Sequence, residues 1–329
     1  MRIRPKVYQL KNTFLRSFHS KTIAKMNQED ITRQELINFL EKESKEFFNI
    51  IKKDAIYPHP FPISQSENEI FTKIHQALNS AIKITVHNYY TDNRIKQIYN
   101  FPLRIQSILD KYRDIPFNNI GAYRPDFLHS DKDNSIRICE INARFPTNGY
   151  LITNFGNNFY QNKSSNSILN CFKNEFDNSK PIGILKNREK GYDINILKEF
   201  FNNVHYINPK DLYFDTKLSF KNVNFDQFIL ELHQDEILSL SDQILFYMIK
   251  SCKLLNDLRT IFLIHDKRFL NILSRDDILF DYLSLDNIKI IREHRLRTYL
   301  TSQLKWDINL KRDILENRKN WLIKPALLG

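Results

Sequence analysis

Glycine is scarce in this chain: 6 among 329 residues, scattered singly, so no glycine-rich phosphate loop stands within it. Cysteine is scarcer. Cys139, Cys171 and Cys252 are odd in number and far apart, which excludes a disulfide framework and a C-x-x-C metal site. Uninterrupted apolar stretches are short, far below the roughly 20 residues a membrane-spanning helix needs. The nine histidines lack the H-x-x-x-H spacing of a zinc helix. The low Gly and Pro content excludes a fibrous or disordered chain, and 42% hydrophobic residues can fill a core.

Acid is missing altogether from residues 1–28, and seven of the eleven net positive charges lie in residues 1–25. The rest of the chain is only mildly basic, which argues against a nucleic-acid backbone as partner. Arg-bearing, Ser-bearing, acid-poor and amphipathic, residues 1–27 have the composition of a mitochondrial transit peptide. A start at Met26 would give a cytoplasmic form. The remaining basic candidates for RNA are Arg292, Arg295, Arg297 and Lys305 with Tyr299 and Trp306, which also read as a solvated face.

Residues 28–115 read as a helical lead-in. Thr32 and Glu35 fit a capping box, Ser66 and Glu69 a second, and a third helical stretch covers about 102–113. Residues 57–62, with three prolines, read as turn or extended chain. Residues 116–180 hold a hairpin followed by a polar stretch, and residues 181–310 alternate strand with helix. Strands are expected at Ile182–Leu185, Val204–Ile207, Phe228–Leu232, Ile261–Ile264 and Ile288–Ile291. The class is therefore α/β, with a parallel or mixed sheet covered by helices.

Three stations carry chemistry. In the hairpin, side chains alternate with period two, so Arg124 and Asp126 share a face of one strand and Glu140 and Asn142 a face of the next. The loop 129–134 suits the turn. If even numbers pair with even, two carboxylates and an amide oxygen converge beside a guanidinium, a set suited to a hard cation such as Mg²⁺. Cys139, on the opposite face, reads as a core thiol. At the second station a strand ends near His265 and a helix opens at Asp266, with Lys267 in its first turn, where free N–H groups favour phosphate. The third is residues 320–329, a strand in which Lys324 alternates with Trp321, Ile323 and Pro325; an ammonium there needs a partner. Ordinary salt-bridged or capped surfaces remain the plainer reading of each station alone.

Together the stations resemble the ATP-grasp superfamily, and within it the synthetase domain of glutathionylspermidine synthases, with the motif order permuted. The likeness runs over Arg124 and Asp126, Glu140 and Asn142, Asp266 and Lys267, then Lys324 through Gly329. It implies an ATP-grasp-like fold with a Rossmann-like alternating region. It also implies that Asp126, Glu140 and Asn142 hold Mg²⁺, that Lys267 and Lys324 hold ATP phosphates, and that Arg124 steadies an acyl-phosphate. The implied activity is a carboxylate–amine ligase using ATP, a small acid and an amine. The glycine-rich flap expected after Lys324 is lacking, so residues 311–329 read as the start of an incomplete nucleotide clamp in a shortened chain. Alternatives are a non-catalytic α/β binding protein that keeps the fold, and a basic mitochondrial RNA-associated protein.

Overall fold

The computed structural model describes residues 33–43, 48, 52–53, 56, 63–130, 133, 135–145, 147, 149–160, 167–191 and 193–326. The transit-peptide segment, the Thr32 cap, the 57–62 stretch and the chain after Ala326 lie outside them. The chain divides into two compact units: Met1–Pro62 with Leu128–Arg137, and Ile63–Phe127 with Ile138–Gly329. In the first, the Arg33–Glu43 helix buries Leu36, Ile37 and Leu40 at helical spacing.

The second unit carries the main core. Its longest helix, Gln65–Asn88, starts two residues earlier than the Ser66 box implies. Ser64 is the N-cap: its Oγ accepts from Glu67 N at 3.2 Å, and Glu67 Oε2 accepts from Ser64 N at 2.8 Å. The S-x-x-E pattern fits both frames, and Ser64 is the one whose frame closes both bonds. Ile74, Leu78, Ile82 and Val86 form its buried stripe. Helices Asn93–Tyr99 and Leu103–Asp110 follow. The polar stretch expected after the hairpin holds helices Tyr150–Phe159 and Ser167–Glu175.

Strands β1 (Arg124–His129) and β2 (Ile136–Asn142) pair, and Ser130 N donates to Ser135 O at 2.9 Å across the turn. Strands β3 (Ile182–Lys186), β4 (Val204–Ile207), β8 (Gln227–Glu231) and β9 (Lys253–Leu254) form an all-parallel sheet in the order β4-β3-β8-β9. β8 is buried throughout and β3 up to its last residue, as sheets covered on both faces require. Gly183 lets β3 and β8 approach: a Cβ there would lie 2.7 Å from the Phe228 ring. Between β4 and β8 runs an antiparallel meander, β5 (Tyr213–Phe214), β6 (Leu218–Phe220) and β7 (Val223–Phe225). Lys221 and Asn222, both at positive φ, make the tight turn between the last two.

Two expected strands are helical. Thr260–Ile264 is a π-helical turn, buried at every position, and a short run buried all round has no period to tell strand from helix. Leu285–His294 is a helix capped by Ser284, with Ile288, Ile291 and His294 on its buried face. Two helices, Gln234–Leu238 and Asp242–Ser251, connect β8 to β9. No helix among the described residues is long and apolar enough to cross a membrane.

Candidate functional site: a carboxylate–lysine cluster at a large cavity

The hairpin is anchored from beneath by a residue that no motif marks. Asn256, buried after β9, accepts from Ala122 N at 2.8 Å and donates to Ala122 O at 2.9 Å and Ala143 O at 3.0 Å. One amide thereby holds the segment leading into β1 and the segment leaving β2. Gly121 makes room for it at φ +78°, since a Cβ would sit 2.2 Å from Asn256 Oδ1. Within β2 the alternation slips: Ile136, Ile138 and then Ile141 are buried. A strict period of two would send Glu140 and Asn142 to the face of Ile138. Instead both stand apart from the buried positions, half-exposed.

Arg124 and Asp126 form an ion pair, Nε to Oδ1 2.8 Å, and Asn142 Nδ2 donates to Asp126 Oδ2 at 2.9 Å. Glu140 lies between two ammoniums. Lys267 Nζ is 3.4 Å from Oε1 and Lys324 Nζ 3.2 Å from Oε2. Lys267 is only 11% exposed at its side chain and Glu140 19%. Burial alone would raise the Glu140 carboxyl, but the two ammoniums outweigh it and hold it below the ordinary glutamate range. His265 is buried beside this cluster and accepts from Ala143 N at 3.3 Å through Nδ1. Burial, with Arg144 and Lys267 adding to it, pushes its pKa down to about 4, so the imidazole is neutral.

Lys267 and Lys324 line a cavity of about 1250 Å³, together with Arg268, Tyr299 and Trp321. The Tyr299 and Trp321 rings lie 5.8 Å apart. Cys139 also lines it, so this thiol is partly accessible and not a core residue; its Sγ donates to Asp126 O at 3.3 Å. Arg124 lines a different cavity, of about 600 Å³, with Tyr123, Phe145 and Glu175 among its walls.

Several expectations need correction. Residues 321–325 form no strand; Leu322 and Ile323 are 72% and 79% exposed, so Lys324 lies on an open segment. Asp266 caps no long helix. It is buried, paired with Arg268 at 2.7 Å, and the helix that follows, Phe269–Ile272, has four residues. The Lys267 backbone N–H is also taken, donating to Ala326 O at 3.2 Å. Of the basic candidates for RNA, Arg292 and Arg295 pair with Asp276. Among the described residues no three His, Cys, Asp or Glu side chains group as a metal centre.

This architecture, a hairpin beside a parallel sheet with covering helices, is mixed α/β and ATP-grasp-like. It is similar to a glutathione synthetase-like effector (GSS30) from Globodera pallida in its apo form. The TM-score is 0.51 at 11% identity, over 82% of this chain and 71% of that one. At that identity the likeness speaks for the fold. Residues 74–263 match the family described as the AnkG N-terminal domain, more than half of the chain, and the chain belongs to that family. No curated protein matches the sequence.

Proposed function

We propose that this chain binds ATP with Mg²⁺ in the larger cavity and acts as a carboxylate–amine ligase of the ATP-grasp type. The observation that carries the reading is the convergence of Lys267 and Lys324 on Glu140 at the edge of a cavity with an aromatic pair in its wall. Two ammoniums held within reach of one acid are preset for a polyanion, and a cavity of this size exceeds the span typical of drug-sized ligands. The chemistry of the side chains supports a hard cation. Asp126, Glu140 and Asn142 offer hard oxygens, and Asp126 already touches Asn142. Mg²⁺ held by them would supply charge neutralisation for the phosphates.

The protein's own groups then have distinct tasks. Lys267 and Lys324 exchange Glu140 for phosphate oxygens, which frees Glu140 for the cation. Trp321 and Tyr299 offer flat faces to a base. Arg124, paired with Asp126, steadies the phosphoryl group in transfer and the acyl-phosphate it forms. His265, neutral, fixes the strand end beside Asn142 without adding charge. An amine then displaces phosphate, giving an amide, ADP and inorganic phosphate. Preset cations aimed at the transferred group provide most of the rate.

A second reading, a binding protein that keeps this fold without turnover, draws on one observation: Glu140 and Asp126 are already satisfied by Lys267, Lys324 and Arg124. Incubation with MgATP, a mixture of small carboxylic acids and hydroxylamine separates the two. The ligase yields hydroxamate and ADP in equal amounts. Nucleotide binding without either product leaves only the second reading.

A further inference from the structure

The carboxyl end of the parallel sheet holds a cluster of buried polar groups that the reading above does not use. In the order β4-β3-β8-β9, β3 has β4 on one side and β8 on the other, so the winding reverses between β3 and β8. Open parallel sheets bind ligands outside the carboxyl ends of their strands at such a reversal. Here those ends are Lys186 and Glu231, partners in register. Glu231 is 3% exposed, and its Oε1 has no hydrogen-bond partner. Arg144 Nε is buried and equally without one. Buried polar atoms are normally satisfied. An acceptor and a donor left open near each other mark the outline of something that carries both a donor and an acceptor.

The surroundings are built for such a group. Lys186 is turned to Gly191 O. Glu189 lies 3.6 Å from His233, and Glu189 and Asp193 both bear electrostatically on Glu231. The Arg144 guanidinium lies 4.2 Å from the Phe145 ring centroid, and that ring packs edge-on against His233 at 5.5 Å. Phe145 also lines the 600 Å³ cavity, so one neighbour of Arg144 faces an open space.

We propose that Glu231 and Arg144 form a ligand site for a small amino compound, an amino acid or the amino terminus of a short peptide, with its ammonium on Glu231 and its carboxylate or carbonyl oxygen on Arg144. The site shares no residue with the Asp126–Glu140–Asn142 cluster and does not depend on nucleotide binding. Burial holds the Glu231 carboxyl at a pKa of about 8, with Glu189 and Asp193 also raising it and Lys186 and Arg144 opposing. At neutral pH Glu231 is therefore the protonated acid, and an arriving ammonium displaces that proton to solvent.

Calorimetric titration of the full chain with alanine, glutamate, lysine and dialanine, in phosphate and in Tris at neutral pH, tests this. At least one probe binds, its heat differs between the buffers by the release of most of a proton, and its N-acetyl derivative does not bind. Glu231→Gln, of equal size, lowers the affinity at least about tenfold, and Arg144→Gln does the same from the other side. MgATP binding is unchanged in both variants. The proposal is overturned if none of the four probes binds at millimolar concentration, if both variants bind as the parent does, or if no proton is released. Higher thermal stability of Glu231→Leu together with no binding would show a buried acid bridged by water alone. Loss of MgATP binding with the amino compound still bound strikes the ligase reading and leaves this one intact.

Discussion

Replacing Glu231 by Gln should reshape the pH dependence of stability in a way that isolates one other residue. In the folded chain the Glu231 carboxyl titrates at about 8, against an ordinary value of 4.5. Between those values the native state keeps a proton that the unfolded state has lost. Its contribution is therefore fully present below pH 4.5 and falls away as pH rises to 8. At 1.36 kcal/mol per unit the whole window amounts to about 5 kcal/mol. His265 has the opposite sense, titrating at about 4 when folded against 6.5. The unfolded chain takes up that proton first as pH drops below 6.5, which costs the fold about 3 kcal/mol by pH 4. From 4.5 to 6.5 the two slopes oppose and cancel. Above 6.5 Glu231 acts alone and removes about 2 kcal/mol by pH 8. The depressed carboxylates lie below this window, Asp92 at about 2 for instance. Glu231→Gln should be flat above pH 6.5 and should show the bare His265 slope beneath it. Urea unfolding across this pH range, followed by circular dichroism with the slope m held constant, reads both. A parent whose stability does not fall between pH 6.5 and 8, or a variant whose profile runs parallel to it, refutes the reasoning.

Other outcomes follow from the same contacts. Asn256→Ala removes three hydrogen bonds and leaves backbone groups of Ala122 and Ala143 unpaired; it should lower unfolding free energy by about 2–4 kcal/mol in denaturant titration. Gly183→Ala drives a methyl against Phe228 and should cost about 1–3 kcal/mol, read as a lower melting temperature and eased by Phe228→Leu. Glu140→Gln removes the acid that both ammoniums contact while weakening the cation site. It should tighten binding of metal-free triphosphate and loosen that of MgATP, a crossing that calorimetry detects and a purely structural Glu140 would not produce.

Strands β3, β4 and β8 are legible in the sequence because each is a short apolar run between polar breaks, and a parallel sheet buried on both faces requires such runs. The hairpin is legible from its alternation. The break of the alternation at Cys139–Glu140 is not, because nothing in the residue types marks it; burial of both Ile138 and Ile141 reveals it. Ile261–Ile264 reads as strand for the same reason that β3 does, and only its place among buried neighbours makes it helical. For Leu285–His294 the signal was present: Ser284 before an acidic first turn, with Ile288 and Ile291 three apart, fits a capped helix. Asn256 follows an apolar pair without any motif, and a buried amide that joins two distant backbone segments can be seen only in three dimensions. Glu231 stands inside the expected strand Phe228–Leu232, and its burial appears only in three dimensions, since acids are seldom fully buried unless paired.

The most direct measurement is calorimetric titration of the full chain with ATP, with and without Mg²⁺, beside Lys267→Ala and Asp126→Asn. Saturable binding that strengthens with Mg²⁺ is expected, with Lys267→Ala weakening it at least about tenfold and Asp126→Asn abolishing the dependence on the cation. Absence of binding in the parent, or Mg²⁺-dependent binding that both variants retain in full, contradicts the assignment of a nucleotide to this cavity.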